Sequence, residues 1–130
     1  MVEKQIAPGS IVSTTYKTGR YLAELVEWSK ERSQALVKIL AVLRHPTQGD
    51  LHYPGRVDVA FQQRRALAFN EKTWVHSASV TLHEGEVPSY EESLKTALEA
   101  EVDKLKQKGD AWSKRSIQEL EDLRKDYFKS

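Results

Sequence analysis

Apolar and polar residues alternate along the first two-thirds of the chain, and the period then changes. Up to about Leu82 the spacing is that of strands, and beyond Pro88 it is that of helices. Pro8-Gly9 signals a turn, and Ser10-Ile11-Val12-Ser13-Thr14-Thr15-Tyr16 follows, rich in the β-branched and aromatic residues that suit a pleated surface. Lys17-Thr18-Gly19 supplies the next turn. Arg20 to Trp28 then reads as a second strand, with Tyr21, Ala23 and Leu25 on one face and Leu22, Val26 and Trp28 on the other. After the polar loop Ser29 to Ser33 comes the clearest strand. Ala35, Val37, Ile39, Ala41 and Leu43 alternate without interruption, while Leu36, Leu40 and Val42 make the opposite face apolar as well. A strand apolar on both faces is covered on both sides or bent to serve two sheets, and a coiled antiparallel SH3-like barrel gives the second outcome in a small domain.

Residues 44–55 break the alternation with two prolines, two glycines and two histidines, which predicts a surface loop. Val57, Val59 and Phe61 alternate again, Ala66-Leu67-Ala68-Phe69 follows, and weaker strands are expected at Thr73–Val75 and Val80–Leu82. The helical part has sharper ends. Ser89-Tyr90-Glu91-Glu92 is a capping box. Leu94, Ala97, Leu98, Val102 and Leu105 form one helical stripe. Lys108-Gly109-Asp110 ends that helix and caps a second, running from about Ala111 to Phe128 with Trp112, Ile117, Leu120, Leu123, Tyr127 and Phe128 as its apolar positions. So short a connection implies an antiparallel helical hairpin. The expected fold is therefore α+β: a small antiparallel, SH3-like β-barrel region over residues 1–86 and a C-terminal α-helical hairpin over 87–130, in one compact chain.

Composition narrows the function classes. The 130 residues hold 20 basic and 19 acidic side chains, and neither the β part nor the helical part hides a charged pole. With a pI near 7.9, a phosphate-tracking nucleic-acid partner is not expected. The chain contains no cysteine, which removes disulfides, thiolate metal sites and lipid attachment through cysteine. The N-terminus lacks the apolar core of a signal peptide, and the longest apolar run, Ile39 to Leu43, is far below the ~20 residues that span a bilayer. These features point to a soluble cytoplasmic protein without direct membrane insertion.

Candidate chemistry concentrates in the 44–55 loop. His45, Asp50 and His52 could hold a metal with an open position, or supply a base and its orienting carboxylate. Their spacing matches no zinc motif, and the structural alternative is that Pro, Gly and Asp shape the turn while the histidines bond to backbone. His76 and His83 read as ordinary surface histidines. The stretch from Gly49 to Gly55 lacks the Lys-Ser/Thr of a phosphate loop, and no serine has a nucleophile-elbow context. No metal, cofactor or catalytic residue is assigned. Partner contact is the reading for His45, Gln48, Asp50 and His52, for the pair Arg64-Arg65, which suits a phosphate or an acidic patch or a solvated strand flank, and for Trp74, whose polar setting suggests an exposed anchor. Trp28 and Trp112 sit in apolar patterns and are expected in the core or at the junction of sheet and helices. Any apolar stripe left over on the hairpin would serve a partner or a second copy of the chain.

Several stretches together resemble the kinase-associated protein B family of endospore-forming bacteria. They are Gly9-Ser10-Ile11-Val12, Tyr16-Lys17-Thr18-Gly19-Arg20-Tyr21, Val37-Lys38-Ile39-Leu40-Ala41-Val42-Leu43, and His45-Pro46-Thr47-Gln48-Gly49-Asp50-Leu51-His52. Arg64-Arg65-Ala66-Leu67-Ala68, Gly85-Glu86-Val87-Pro88-Ser89-Tyr90 and Asp126-Tyr127-Phe128 extend the likeness over nearly the whole chain. The resemblance implies an antiparallel β domain with a helical extension. It also implies a non-enzymatic role beside a sensor histidine kinase that feeds the sporulation phosphorelay, and it supplies no catalytic residues. Proteins of this family have been labelled lipoproteins, a label that a chain without cysteine does not fit. The alternative is a nucleic-acid-binding, translation-associated SH3-like protein, which rests on fold analogy alone.

Overall fold

A computed structural model describes residues 6–49, 56–57 and 61–129. Five strands, β1 (Ile11–Tyr16), β2 (Gly19–Ser29), β3 (Gln34–Arg44), β4 (Lys72–His76) and β5 (Thr81–Leu82), form one antiparallel sheet in the order β4-β3-β2-β1-β5. A single 3₁₀ turn, Ser77–Ser79, carries the chain from β4 to β5. Two helices, α1 (Tyr90–Lys108) and α2 (Ala111–Tyr127), complete the chain. The antiparallel sheet and helical hairpin match the expectation. The barrel is left open, because β4 and β5 are both edge strands with no ladder between them.

The bend comes from β2 and β3. Their ladder shifts register between Arg20 and Tyr21, between Leu22 and Ala23, and between Leu25 and Glu27, and each irregularity adds twist and curl to a long pair. The curl explains the two-faced apolar pattern of β3. Ala35, Val37, Ile39 and Ala41 are fully buried, while Leu36 and Leu40 on the other face are half-covered. At the β1–β2 turn Tyr16 pairs with Gly19, and Lys17 takes a left-handed φ of 53°. Glycine is required at 19 because a Cβ there would lie 2.6 Å from the Tyr21 hydroxyl, and Tyr21 is itself buried.

The helices begin and end where their caps dictate. Ser89 Oγ accepts the Glu92 N–H at 3.2 Å, and Gly109 closes α1 in the left-handed region. Asp110 Oδ1 then accepts the Ser113 N–H at 2.8 Å. The first turns of α1 lie on β3, where Ser93 Oγ accepts the Val42 N–H at 2.9 Å and Leu94 and Ala97 join the sheet core. Further along, Leu98, Val102 and Leu105 meet Trp112, Leu120 and Leu123 of α2 in a second cluster. The hairpin thus docks on the sheet and also satisfies itself. No large apolar side chain of either helix is exposed among the described residues, so the leftover stripe expected to serve a second copy is absent. Trp112 is buried in the helical cluster, and Trp28 packs at the edge of the sheet core with Nε1 donating to Ile6 O at 3.0 Å.

Between β3 and β4 the expectations are revised. Val57 and Phe61 lie outside any strand, and residues 58–60 of that expected strand fall outside the described residues. Ala66-Leu67-Ala68-Phe69 is irregular backbone despite its apolar run. The Ala66, Leu67 and Ala68 N–H groups and Leu67 O bond to side chains instead of a neighbouring strand.

Candidate functional site

The segment after β3 is expected to be a surface loop, yet His45, Pro46, Gln48 and Gly49 are buried. A buried segment needs partners for its polar groups, and residues 62–66 supply them. The Gln48 side-chain amide pairs with Arg64 as a strand would: Nε2 donates to Arg64 O at 2.8 Å, and Oε1 accepts the Arg64 N–H at 2.9 Å. The Gly49 N–H donates to Gln62 O, and Arg64 Nε donates to Gly49 O at 3.1 Å. Gly49 has φ +97°, and a Cβ on it would press on Phe61 and the Trp112 indole.

Three tyrosines from distant parts of the chain hold the next two residues. Tyr127 Oη at the end of α2 accepts the Ala66 N–H at 2.9 Å, and Tyr21 Oη on β2 accepts the Leu67 N–H at 3.2 Å. Tyr90 Oη at the start of α1 donates to Leu67 O. Burial raises the pKa of all three phenols, that of Tyr21 to about 12. They stay neutral and keep the protons these bonds require. His45 completes the chain of bonds, with Nδ1 at 3.0 Å from Pro46 O and Nε2 at 2.9 Å from Tyr127 Oη. One tautomer fits: Nδ1–H donates to the carbonyl and Nε2 accepts from the phenol. Desolvation lowers the His45 pKa to about 4, against the opposing pull of the Pro46 bond, so the ring is neutral near pH 7.

The fold buries His45 and Gln48, both read from sequence as partner contacts. Their polar atoms are consumed inside the molecule, where they frame the segment carrying Arg64 and Arg65. Both nitrogens of His45 are occupied, which leaves neither for a metal or a substrate proton. Asp50 and His52 lie outside the described residues. His76 ends β4, and His83 Nε2 lies 3.2 Å from Glu86 O.

The framed segment walls a cleft of about 310 Å³ lined by Tyr16, Lys17, Thr18, Tyr21, Pro46, Gln63, Arg64, Arg65 and Leu67. Arg65 is tied to Asp126 and lies with its guanidinium 5.1 Å from the Tyr127 ring centre. Among the described residues, Arg64 is held through its Nε and backbone. Trp74 lies apart, on edge strand β4 and half-exposed, with the Arg32 guanidinium 5.7 Å from its ring centre. Together with Trp28 and the β2–β3 turn it lines a second cleft. The structure thus joins Arg64 with Arg65 and separates both from Trp74. Lys17, Tyr16 and Thr18 beside the arginines were not singled out from sequence, because their proximity is a product of the sheet's curl.

The comparisons with known proteins agree with one another. Residues 16–128 match the family model described as kinase associated protein B. The chain is 46% identical over 121 residues to kinase-associated lipoprotein B of Bacillus subtilis (strain 168), covering 92% of this chain and 93% of the relative. The X-ray crystal structure of kinase-associated protein B from Bacillus cereus superposes with a TM-score of 0.78 at 38% identity, covering 93% of this chain and 96% of that one. With the match extending from the end of β1 to the last turn of α2, the chain belongs to the kinase-associated protein B family.

Proposed function

We propose that this protein is a non-enzymatic cytoplasmic accessory factor that binds a sensor histidine kinase and promotes its signalling into the sporulation phosphorelay. The observation that carries this reading is family membership across nearly the whole chain, together with the name of the 46% identical relative, which is called kinase-associated. The interior supports a role without catalysis. The buried imidazole, His45, has a low pKa and both nitrogens occupied. No helix among the described residues is long and apolar enough to cross a membrane, which suits a partner that meets the kinase's cytoplasmic portion.

Promotion requires only that the protein bind the active conformation of the kinase more tightly than the inactive one; a differential of a few kcal/mol moves most of the population. The exposed face of Trp74 with Arg32, and the Arg64–Arg65 cleft, are the two surfaces assigned to that contact. The test is direct binding of the purified chain to purified kinase, with autophosphorylation followed in parallel. Binding with a faster rate is expected, and Trp74→Ala should weaken it roughly tenfold if the indole is an anchor. A kinase that neither binds the chain nor changes its rate sinks the reading.

A further inference from the structure

We infer that the cleft between the β1–β2 turn and the 62–67 segment is a binding site for a phosphoryl group. Lys17 of the turn and Arg64 and Arg65 of the 62–67 segment all line it, together with Tyr16 and Thr18, and no carboxylate is among the described lining residues. Two acids close to this segment, Asp126 beside Arg65 and Glu119 beside Gln63, already have cation partners. Asp126 bonds to Arg65 and Lys129, and Glu119 bonds to Arg115. Two cations remain uncompensated among the described residues. Lys17 contacts only the Tyr16 ring, 5.5 Å from its centre, and Arg64 spends Nε on Gly49 O and keeps its Nη donors.

This arrangement is preorganised. The left-handed backbone at Lys17 sets the direction of its stem, and the Nε tether to a buried carbonyl aims the Arg64 fork. Thr18 is fixed in turn, because its Oγ1 accepts the Thr47 N–H at 2.9 Å and its own proton is left to donate. Two unmatched positive charges suit a phosphate monoester, which carries about −1.5 to −2 near neutral pH, better than a single carboxylate. Donors brought to one cleft by two separate segments suit a tetrahedral group better than a planar one. A phosphorylated side chain on a protein partner and a free phosphomonoester share this chemistry.

The site is tested without any kinase, so its failure and that of the kinase reading are separable. Isotope-labelled full-length chain is titrated with inorganic phosphate, with acetate, and with a short phosphoserine peptide, and amide shifts are followed by NMR. Saturable shifts at Lys17, Thr18 and Arg64 with phosphate are expected, and with the phosphoserine peptide binding should strengthen as the pH rises through about 6, where the monoester dianion forms. Lys17→Gln and Arg64→Lys should each weaken binding roughly tenfold, in line with loss of a charge-assisted bond. The lysine variant keeps the charge at 64 and loses the fork together with the Nε bond to Gly49 O. Tighter binding of the peptide than of inorganic phosphate assigns the group to a protein partner; equal affinity assigns it to a small molecule. Absence of saturable shifts at these residues, or acetate binding as tightly as phosphate, overturns the inference.

Discussion

At the scale of single residues, His45 makes stability depend on pH in a defined direction. The unfolded chain takes up a proton on this imidazole near pH 6.5, whereas the folded chain does so only near pH 4. Between those values the unfolded state binds more protons, so stability is complete above about pH 6.5 and falls as the pH drops toward 4, by ~3 kcal/mol in all. Chemical denaturation across that window should show the slope, and His45→Gln should remove this contribution whatever its own stability; Glu101, whose carboxyl burial pushes up, acts with the opposite sign just above the ordinary carboxylate range. Asp110 and Asp126, whose carboxyls are held below their usual range by bonds to Ser113 and to Arg65 and Lys129, act below that window. Gly19 offers a second test. An alanine methyl there would strike the Tyr21 ring, which cannot retreat because it is buried and bonded to Leu67. Gly19→Ala should therefore cost about 1–3 kcal/mol in thermal or denaturant unfolding.

At the scale of elements, the last turn of α2 is tied to the 62–67 segment through one hydroxyl. Tyr127→Phe keeps the ring but leaves the Ala66 N–H and His45 Nε2 without their partner, a loss of about 1–3 kcal/mol. The mutant should show faster amide exchange at Ala66, while amides in the centre of β3 exchange as before. The elements themselves differed in how plainly the sequence announced them. The long strands and both helices were legible, since Ala35 to Ala41 alternate strictly and Ser89, Gly109 and Asp110 are capping residues whose chemistry acts within three or four positions. The stretch 66–69 was not. Its apolar run reads as a strand, and what determines its shape is three phenols located 23 to 61 residues away. The same holds for Gln48, whose amide takes the place of a strand's backbone beside Arg64. A polar residue in a Pro/Gly-rich stretch signals a loop, but only the fold reveals that the loop is lined with bonds and turned inward. Of the residues proposed from sequence for partner contact, Arg64, Arg65 and Trp74 remain available at the surface because nothing long-range claims the whole of their side chains.

At the scale of the whole molecule, the sheet core and the helical cluster are two apolar bodies joined through shared members. Leu94 and Ala97 of α1 belong to the first, and Leu98 and Val102 one step along belong to the second; Tyr127 and Phe128 border both. Neither body can open without exposing the other, which predicts a single cooperative transition. Far-UV circular dichroism and tryptophan fluorescence should trace coincident unfolding curves, Trp28 reporting on the sheet and Trp112 on the helices. Separated midpoints would mean that the hairpin melts independently.

The tyrosine bonds to residues 66 and 67 also bear on how such a protein can diverge. They grip peptide groups, which every residue but proline presents in the same way, so the frame is indifferent to what stands at Leu67. Leu67 lines the cleft and is only half-buried. Its side chain is therefore open to drift, and with it the shape of the cleft, while Tyr21, Tyr90 and Tyr127 are bound to one another by a shared task. Selection on the ligand and selection on the fold act here on separate positions, and a lineage can retune what it binds without first rebuilding what holds it together.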